Sequence, residues 1–241
     1  MNWDLATIFL TFLIYSFFGY ILEIIVCSFS YKKIVNRGFL FGPWCPIYGI
    51  GALLILLTLL RYKYSVALVF IFGILITTTI EYYTSYILEK IFHNKWWDYS
   101  DRKDSINGRI CIGNMIGFGI GAVAIIYIAQ PIILSVLGIF HRYVLNILAI
   151  ILALIFIADC IYSFIIAYAL RNRIIIAEEL KAEKIKMLPA LIKDKIKYIN
   201  IKRIRYFKAF PNLKKKYDFE LGEIKNWLEE NSKKKKSSKK D

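Results

Sequence analysis

The feature that most narrows what this chain can fold into is a set of apolar runs, several near 20 residues long and almost free of charge. They lie on both sides of the polar stretch HNKWWDYSDRKDSINGR at 93–109. A helix of about 20 residues matches the thickness of the hydrocarbon layer, where the backbone must satisfy its own polar groups. The fold expected is all-α, a polytopic integral membrane helix bundle with about five transmembrane helices. A hydrophobic content of 58% and a mean hydropathy of +0.50 agree, being too apolar for a soluble domain of 241 residues.

The first span is expected at about 5–29, and Ser16, Gly19, Glu23 and Cys27 fall on one helical face of it while the other faces are Ile, Leu and Phe. That face should look into the protein. The amino terminus lacks a basic start and a small-residue cleavage site, so the run reads as a retained span. GFLFGPWCPIYGIG at 38–51 follows, and Pro43 and Pro46 there predict a compact bend at the membrane edge, with a re-entrant segment as an alternative. The second span, about 47–60, is short. The third, about 65–92, places Thr78, Glu81, Ser85 and Glu89 on one stripe. The fourth starts near residue 110, carries Gly113, Gly117 and Gly121 at the spacing that allows close helix approach, and is expected to continue past Pro131 to about 140 as a kinked or broken helix. The fifth, about 143–170, holds Asp159 and Ser163 on one face.

The expected organisation is a transmembrane domain at 1–173 with two structured cytoplasmic loops, 31–46 and 93–109. A basic amphipathic cytoplasmic tail follows at 174–230, interrupted by Pro189, and a disordered Lys-rich end at 231–241. The formal charge is +15, and from Arg171 onward 22 Lys and Arg stand against 10 Asp and Glu. Such a tail on a membrane span suits anionic lipid headgroups on the cytoplasmic side better than nucleic acid. With five spans this puts the N-terminus out and the C-terminus in. The loops after spans one and three, which would face inward, hold Lys32, Lys33, Arg37, Lys95, Arg102, Lys103 and Arg109, against Arg61, Lys63 and Arg142 outside. A multi-pass protein of a bacterial cytoplasmic membrane is the expected setting, with the lipid bilayer, a separate ATPase subunit or a second copy of the chain as partners.

Charged groups inside a span cost about 2.5 to 3.5 kcal/mol each on insertion scales, so each marks a partner or a wet cavity. Counting back from the inner loops at about 1.5 Å per residue, Glu23, Glu81 and Asp159 are expected about 12 to 18 Å from their inner ends, in one layer. Arg37 and Arg109, bordering the two inner loops, are the cations expected to neutralise Glu23 and Glu81. Trp96, Trp97 and Tyr99 would anchor the central loop at the interface. Together with Glu89, Asp98 and Asn107 these form the candidate polar site. The chain has no GxxxxGK[ST], HExxH or GxSxG run, so no catalytic residue, cofactor or metal is assigned. His93 and His141 are far apart. Asp98, Asp101 and Asp104 are interleaved with Arg102 and Lys103, a pattern of solvated loop charge more than of a divalent-cation site. Four cysteines without CxxC spacing indicate neither a zinc site nor a disulfide framework.

NRGFLFGPWCPIYGIG (36–51), EYYTSYILEKIF (81–92) and WWDYSDRKDSINGRICI (96–112) resemble the signature segments of the ABC-transporter type IV, or CmpB-like, family of bacterial membrane proteins. The resemblance covers about residues 8–170. It implies a multi-span, permease-like component, with motif positions here at Glu23, Asn36, Arg37, Gly38, Gly42, Pro43, Cys45, Pro46, Tyr48, Gly49, Glu81, Glu89, Trp96, Trp97, Asp98, Tyr99, Asn107, Gly108 and Arg109. An EAA-type coupling segment, usual in importer permeases, is not present. Three readings follow: a permease-like subunit with an inner-face polar vestibule, a membrane enzyme on a lipid-type substrate with Asp98 or Glu81 as acid or base, and a non-transporting scaffold or regulator.

Overall fold

The structure is a computed structural model that describes residues 4–32, 38–92 and 95–182. Arg37 and Asn36, and the tail from residue 183 on, lie outside the described residues. The chain divides into two units, Met1–Ser163 and Phe164–Asp241, and the site discussed below lies wholly in the first.

Helix α1 (Leu5–Tyr31) begins where the Asp4 carboxylate accepts the Thr7 amide at 3.3 Å, and it ends at Lys32, whose φ of 50° breaks the helical path. Burial and polar contacts at Asp4 oppose each other; the Thr7 side chain and amide, with Arg142, hold its carboxyl below the usual range. Helix α2 (Pro46–Leu59) starts at a proline, whose fixed φ suits the first turn and whose missing N–H is not needed there. A 3₁₀ turn at Leu60–Tyr62 leads to α3 (Val66–Phe92). A two-stranded hairpin, β1 (Ser105–Ile106) and β2 (Ile110–Cys111), precedes α4 (Ile112–Ala124). Five residues of π-helix, Ile125–Ala129, join α4 to α5 (Gln130–Gly138), and α6 runs over Arg142–Ala182.

Among the described residues four segments are long and apolar enough to cross a bilayer: Leu5–Phe29, Val66–Phe92, Ile112–Gly138 and Arg142–Tyr168, with Pro46–Tyr62 as a shorter apolar helix. Leu57, Ile150 and Leu154 are among many large apolar side chains left exposed on them. Water would penalise that surface and lipid does not, so the fold is a polytopic membrane helix bundle. The fourth span passes Pro131 without breaking. Proline removes one helical hydrogen bond and its ring crowds the carbonyl four residues back, and the π turn directly before it opens the room.

Close approach between helices comes from small residues, but not those with four-residue spacing in α4. A side-chain carbon added at Gly117 or Gly121 would meet nothing, and one at Gly113 would meet Arg102 at 3.3 Å. The contacts are instead Gly73 against Ala122, and Gly119 against Phe70 at 2.7 Å and Ile74 at 2.8 Å, which join α3 to α4. Gly19 gives the corresponding room between α1 and α2, because a carbon there would sit inside the Tyr48 ring. Gly19→Ala is expected to lower stability by about 1 to 2 kcal/mol through overpacking. The measurement is thermal unfolding in detergent, with Gly121→Ala, which faces open space, staying at or above the native midpoint.

Candidate functional site

The central loop is a folded platform. Asn107 (φ 53°) and Gly108 (φ 67°) are the two left-handed central residues of a turn closed by the Arg109 amide on the Ile106 carbonyl at 3.0 Å, and the three-residue connection 107–109 sets Ser105 opposite Cys111 and Ile106 opposite Ile110. The Asn-Gly pair is a strong hairpin signal that charge reading alone passed over. Asp98 is exposed and staples the loop: its Oδ1 accepts the Ser100 amide at 3.0 Å and the Ser100 hydroxyl at 2.6 Å, with Lys95 Nζ at 3.4 Å. Slight burial opposes its charge, but Ser100 and Lys95 outweigh it and hold the carboxyl below the ordinary range. The Tyr99 amide donates to the Gly108 carbonyl at 2.8 Å, and Trp97 Nε1 donates to the Arg109 carbonyl at 3.1 Å. Asn107 Nδ2 donates to the Tyr82 hydroxyl at 3.0 Å, tying the turn to α3. A carbon added at Gly108 would lie 2.6 Å from Asp98 Oδ1 in a strained backbone region. Gly108→Ala is therefore expected to cost about 1 to 2 kcal/mol and to raise proteolysis within 95–111, measured by limited digestion of the detergent-purified protein.

Arg109 closes the platform onto α3, and its acidic partner is Glu89, not Glu81. Its guanidinium lies 2.7 Å from Glu89 Oε2, donates to Ser85 Oγ at 3.4 Å, and sits over the rings of Tyr86 at 5.4 Å and Tyr82 at 5.7 Å. Glu89 lies two turns nearer the end of α3 than Glu81, within reach of an arginine that follows directly on the turn. Trp96 and Tyr99 also differ from simple interface anchors. Trp96 is 9% exposed and meets Phe39 at 5.1 Å and Phe92 at 5.6 Å edge to face, so it locks the bend at 38–45 against the end of α3. The Tyr99 hydroxyl points inward and accepts from Asn114 Nδ2 at 2.8 Å.

Beneath this platform lie two carboxylates. Glu81 is 6% exposed, with Asn114 and Tyr99 near its carboxyl and Glu23 next in its electrostatic surroundings. Glu23 Oε1 accepts the Tyr48 hydroxyl at 2.9 Å, and Oε2 accepts the Cys27 thiol at 3.5 Å. Glu23 and Glu81 are thus neighbours, and among the described residues neither forms an ion pair with a lysine or arginine. Arg37, expected beside Glu23, falls outside those residues.

Asp159 does different work. Its Oδ1 accepts the Phe41 amide at 3.0 Å and the Ser163 hydroxyl at 3.2 Å, and its Oδ2 accepts the Gly42 amide at 2.8 Å. The Phe41 amide also reaches Ser163 Oγ at 3.1 Å. The aspartate is the acceptor that two successive backbone donors of the bend require, since Pro43 and the tight turn leave them no ladder partner. At its other end the bend is tied to α1 by the Cys45 amide, which donates to the Ser16 carbonyl at 2.9 Å.

Of the polar residues found here, Tyr48 was named only as a motif position and Ser163 only as sharing a face with Asp159, while Asn114 was not singled out from sequence. Asn114 could have been, because a lone amide in an apolar span is itself a polar-site signal. Among the described residues no three His, Cys, Asp or Glu side chains converge as metal ligands.

A helix bundle with long apolar spans, a folded loop platform and, below it, one buried and one half-buried carboxylate defines a multi-pass membrane protein with a polar interior layer. The chain belongs to the family described as Putative ABC-transporter type IV, whose model matches residues 10–164 and so includes the bend, both carboxylates, the platform and Asp159. No curated protein matches the chain, and no solved structure matches it.

Proposed function

We propose that this chain is the permease-like membrane subunit of an ABC-type transporter, acting in a bacterial cytoplasmic membrane with the ATPase on a separate chain. The observation that carries the reading is the Glu23 and Glu81 layer directly beneath two interlocked loops, 38–45 and 95–111, joined through Phe39 and Trp96. Carboxylates in a span cost energy that function must justify, and loops that cap them are where a partner would act on access. The basic loops and tail favour an inner position for both caps, with Pro46–Tyr62 as a fifth crossing, the amino terminus outside, and residues 174–230 as a basic cytoplasmic docking tail. Tagged full-length protein isolated from native membranes in mild detergent is expected to bring down an ATP-binding chain in a fixed ratio. Repeated isolation without one would sink the reading. Cysteines placed at positions 35 and 101 should resist a membrane-impermeant reagent on intact cells; reaction at both would reverse the orientation.

A scaffold reading is favoured by one observation, that Arg109 and Asp159 are both committed to internal contacts. It separates cleanly: removal of 174–241 would then abolish function, while Glu81→Gln would lower stability alone.

A further inference from the structure

Several hydroxyls in the apolar helices are satisfied by a carbonyl one turn back: Thr58 donates to Leu54 at 2.6 Å, Thr77 to Gly73 at 2.7 Å, Thr79 to Leu75 at 2.7 Å and Ser135 to Pro131 at 2.9 Å. Thr11 on α1 differs. It is 0% exposed, and its Oγ1 has no hydrogen-bond partner among the described residues. Gln130, at the start of α5, is 2% exposed; its Oε1 accepts the Tyr15 hydroxyl at 3.0 Å, while its Nε2 has no acceptor among the described residues. Buried polar atoms left unmatched in a native fold call for a physical reason.

The two lie in one seam. Asp4, Thr7, Thr11 and Tyr15 fall on one face of α1 by helical spacing, and Gln130, Leu134 and Leu137 fall on one face of α5. Asp4 and Thr7 line a cavity of about 250 Å³ with Leu134, Leu137, Arg142 and Leu145, at the end of the fourth span away from the hairpin. Tyr15 meets Gln130 deeper in. The two faces are therefore opposed and antiparallel, and Thr11 sits about 6 Å below Thr7, between the cavity and the bond from Tyr15 to Gln130. A seam built to stay dry would carry apolar side chains at 11 and 130, because a buried polar group without a partner destabilises the closed form. Such groups are matched once a hydrogen-bonding solute enters. A pivot is in place as well: the π turn Ile125–Ala129 and Pro131 flank Gln130 at the base of α5, and both are causes of helix bending.

Charge narrows the solute. The rim holds one carboxylate, Asp4, and one guanidinium, Arg142, 3.3 Å apart, and these offset each other. Below them Thr7, Thr11, Tyr15 and Gln130 are uncharged. A solute with a net charge would meet no counter-charge along these two faces and would bear the cost of entering the span.

Resting on the transport reading, we propose that the seam between α1 and α5 is the entry for a small, uncharged, hydrogen-bonding solute at the end of the bundle opposite the platform. It is closed in this structure at Thr11 and Gln130, and a swing of α5 about residues 125–131 opens it. Thr11 and Gln130 are the first groups to bind the solute below the cavity.

The test is alkylation of single cysteines in the purified full chain in lipid nanodiscs, with Cys27, Cys45, Cys111 and Cys160 replaced by serine. Iodoacetamide, a small neutral amide, is the probe, and a thiol reacts with it as the hydrated thiolate. Thr11→Cys is expected to react at least about a hundredfold faster than Ile132→Cys, which is 57% exposed on an apolar face of the same span. Adding Gln130→Leu, which removes the unmatched amide from the closed seam, should slow Thr11→Cys at least about tenfold and leave the exposed Tyr64→Cys unchanged. Iodoacetate, similar in size but anionic, should be at least about tenfold slower than iodoacetamide at Thr11→Cys when each is normalised to Tyr64→Cys. Thr11→Cys exchanges one small side chain for another, so the comparison with Ile132→Cys decides the matter even if Gln130→Leu fails to fold. A rate at Thr11→Cys no higher than at Ile132→Cys, no slowing by Gln130→Leu, or equal access for iodoacetate overturns the proposal. None of these results touches recovery of an ATP-binding partner, so the entry seam can fail while the transport reading stands.

Discussion

Arg109→Ala is expected to lower the stability of the protein by about 2 to 3 kcal/mol. Removing one member of a fully buried ion pair costs about 3 to 5 kcal/mol, because the other charge is left in a poor dielectric without compensation. Here the Arg109 side chain is 13% exposed but Glu89 is 33% exposed, so water recovers part of the loss. The Ser85 hydrogen bond and the stacking on Tyr82 and Tyr86 go with it, each small and additive in direction. Lysine should restore less than half of the loss, since it keeps the charge but not the planar fork that meets both carboxylate and rings. Glu89→Gln should cost about 1 kcal/mol, for it leaves Arg109 its ring contacts and an uncharged acceptor. The measurement is a double-mutant cycle on thermal unfolding in detergent. A coupling between positions 89 and 109 below about 0.5 kcal/mol would refute the clamp, because neighbours sharing a buried pair do not act independently.

That clamp also shows where sequence reading stops. Helical spacing gives azimuth: the stripes through Ser16 and Cys27 and through Glu81 and Ser85 are buried as the periodicity predicts. Spacing does not give partners. Glu81 and Glu89 share a stripe two turns apart, and which of them meets Arg109 is decided by how far the hairpin carries the arginine back along α3. The hairpin was legible in Asn107-Gly108, whereas its docking through Asn107 and Tyr82 was not, because it depends on two elements meeting in space. The glycines of α4 make the same point. A four-residue repeat defines a ridge of small residues, but the ridge that meets α3 is the one opposite Gly73, and Gly119 and Ala122 lie there. Asp159 was legible as a charge inside a span needing a partner or a wet cavity, but no cation was assigned to it. The bend met the need with backbone amides, whose spare donors follow from prolines that no charge count registers.

Asp159→Ala is expected to cost about 3 kcal/mol and to loosen the cap over the carboxylate layer. Hydrogen bonds to an ionised acceptor contribute about 1.5 to 3 kcal/mol each, and this carboxylate accepts three, two of them from adjacent backbone amides, of which Phe41 also reaches Ser163. Asparagine keeps one acceptor oxygen in place and should lose about 1 kcal/mol. The consequence extends beyond stability because the bend is a short tether: it holds buried Leu40, sets Phe39 against Trp96, and ends at Cys45, whose amide is bonded to Ser16. Freed at Phe41 and Gly42, it should open from the α6 side first. Cys45 reports this directly once Cys27, Cys111 and Cys160 are replaced by serine. Its reaction with a small maleimide is expected to be at least about tenfold faster in Asp159→Ala than in the parent, with Asp159→Asn between them, as local opening governs access to a partly buried thiol. Equal rates in all three would mean that the bend is held by Leu40 and the Phe39–Trp96 contact alone, and that α6 has no hold on access to Glu23 and Glu81.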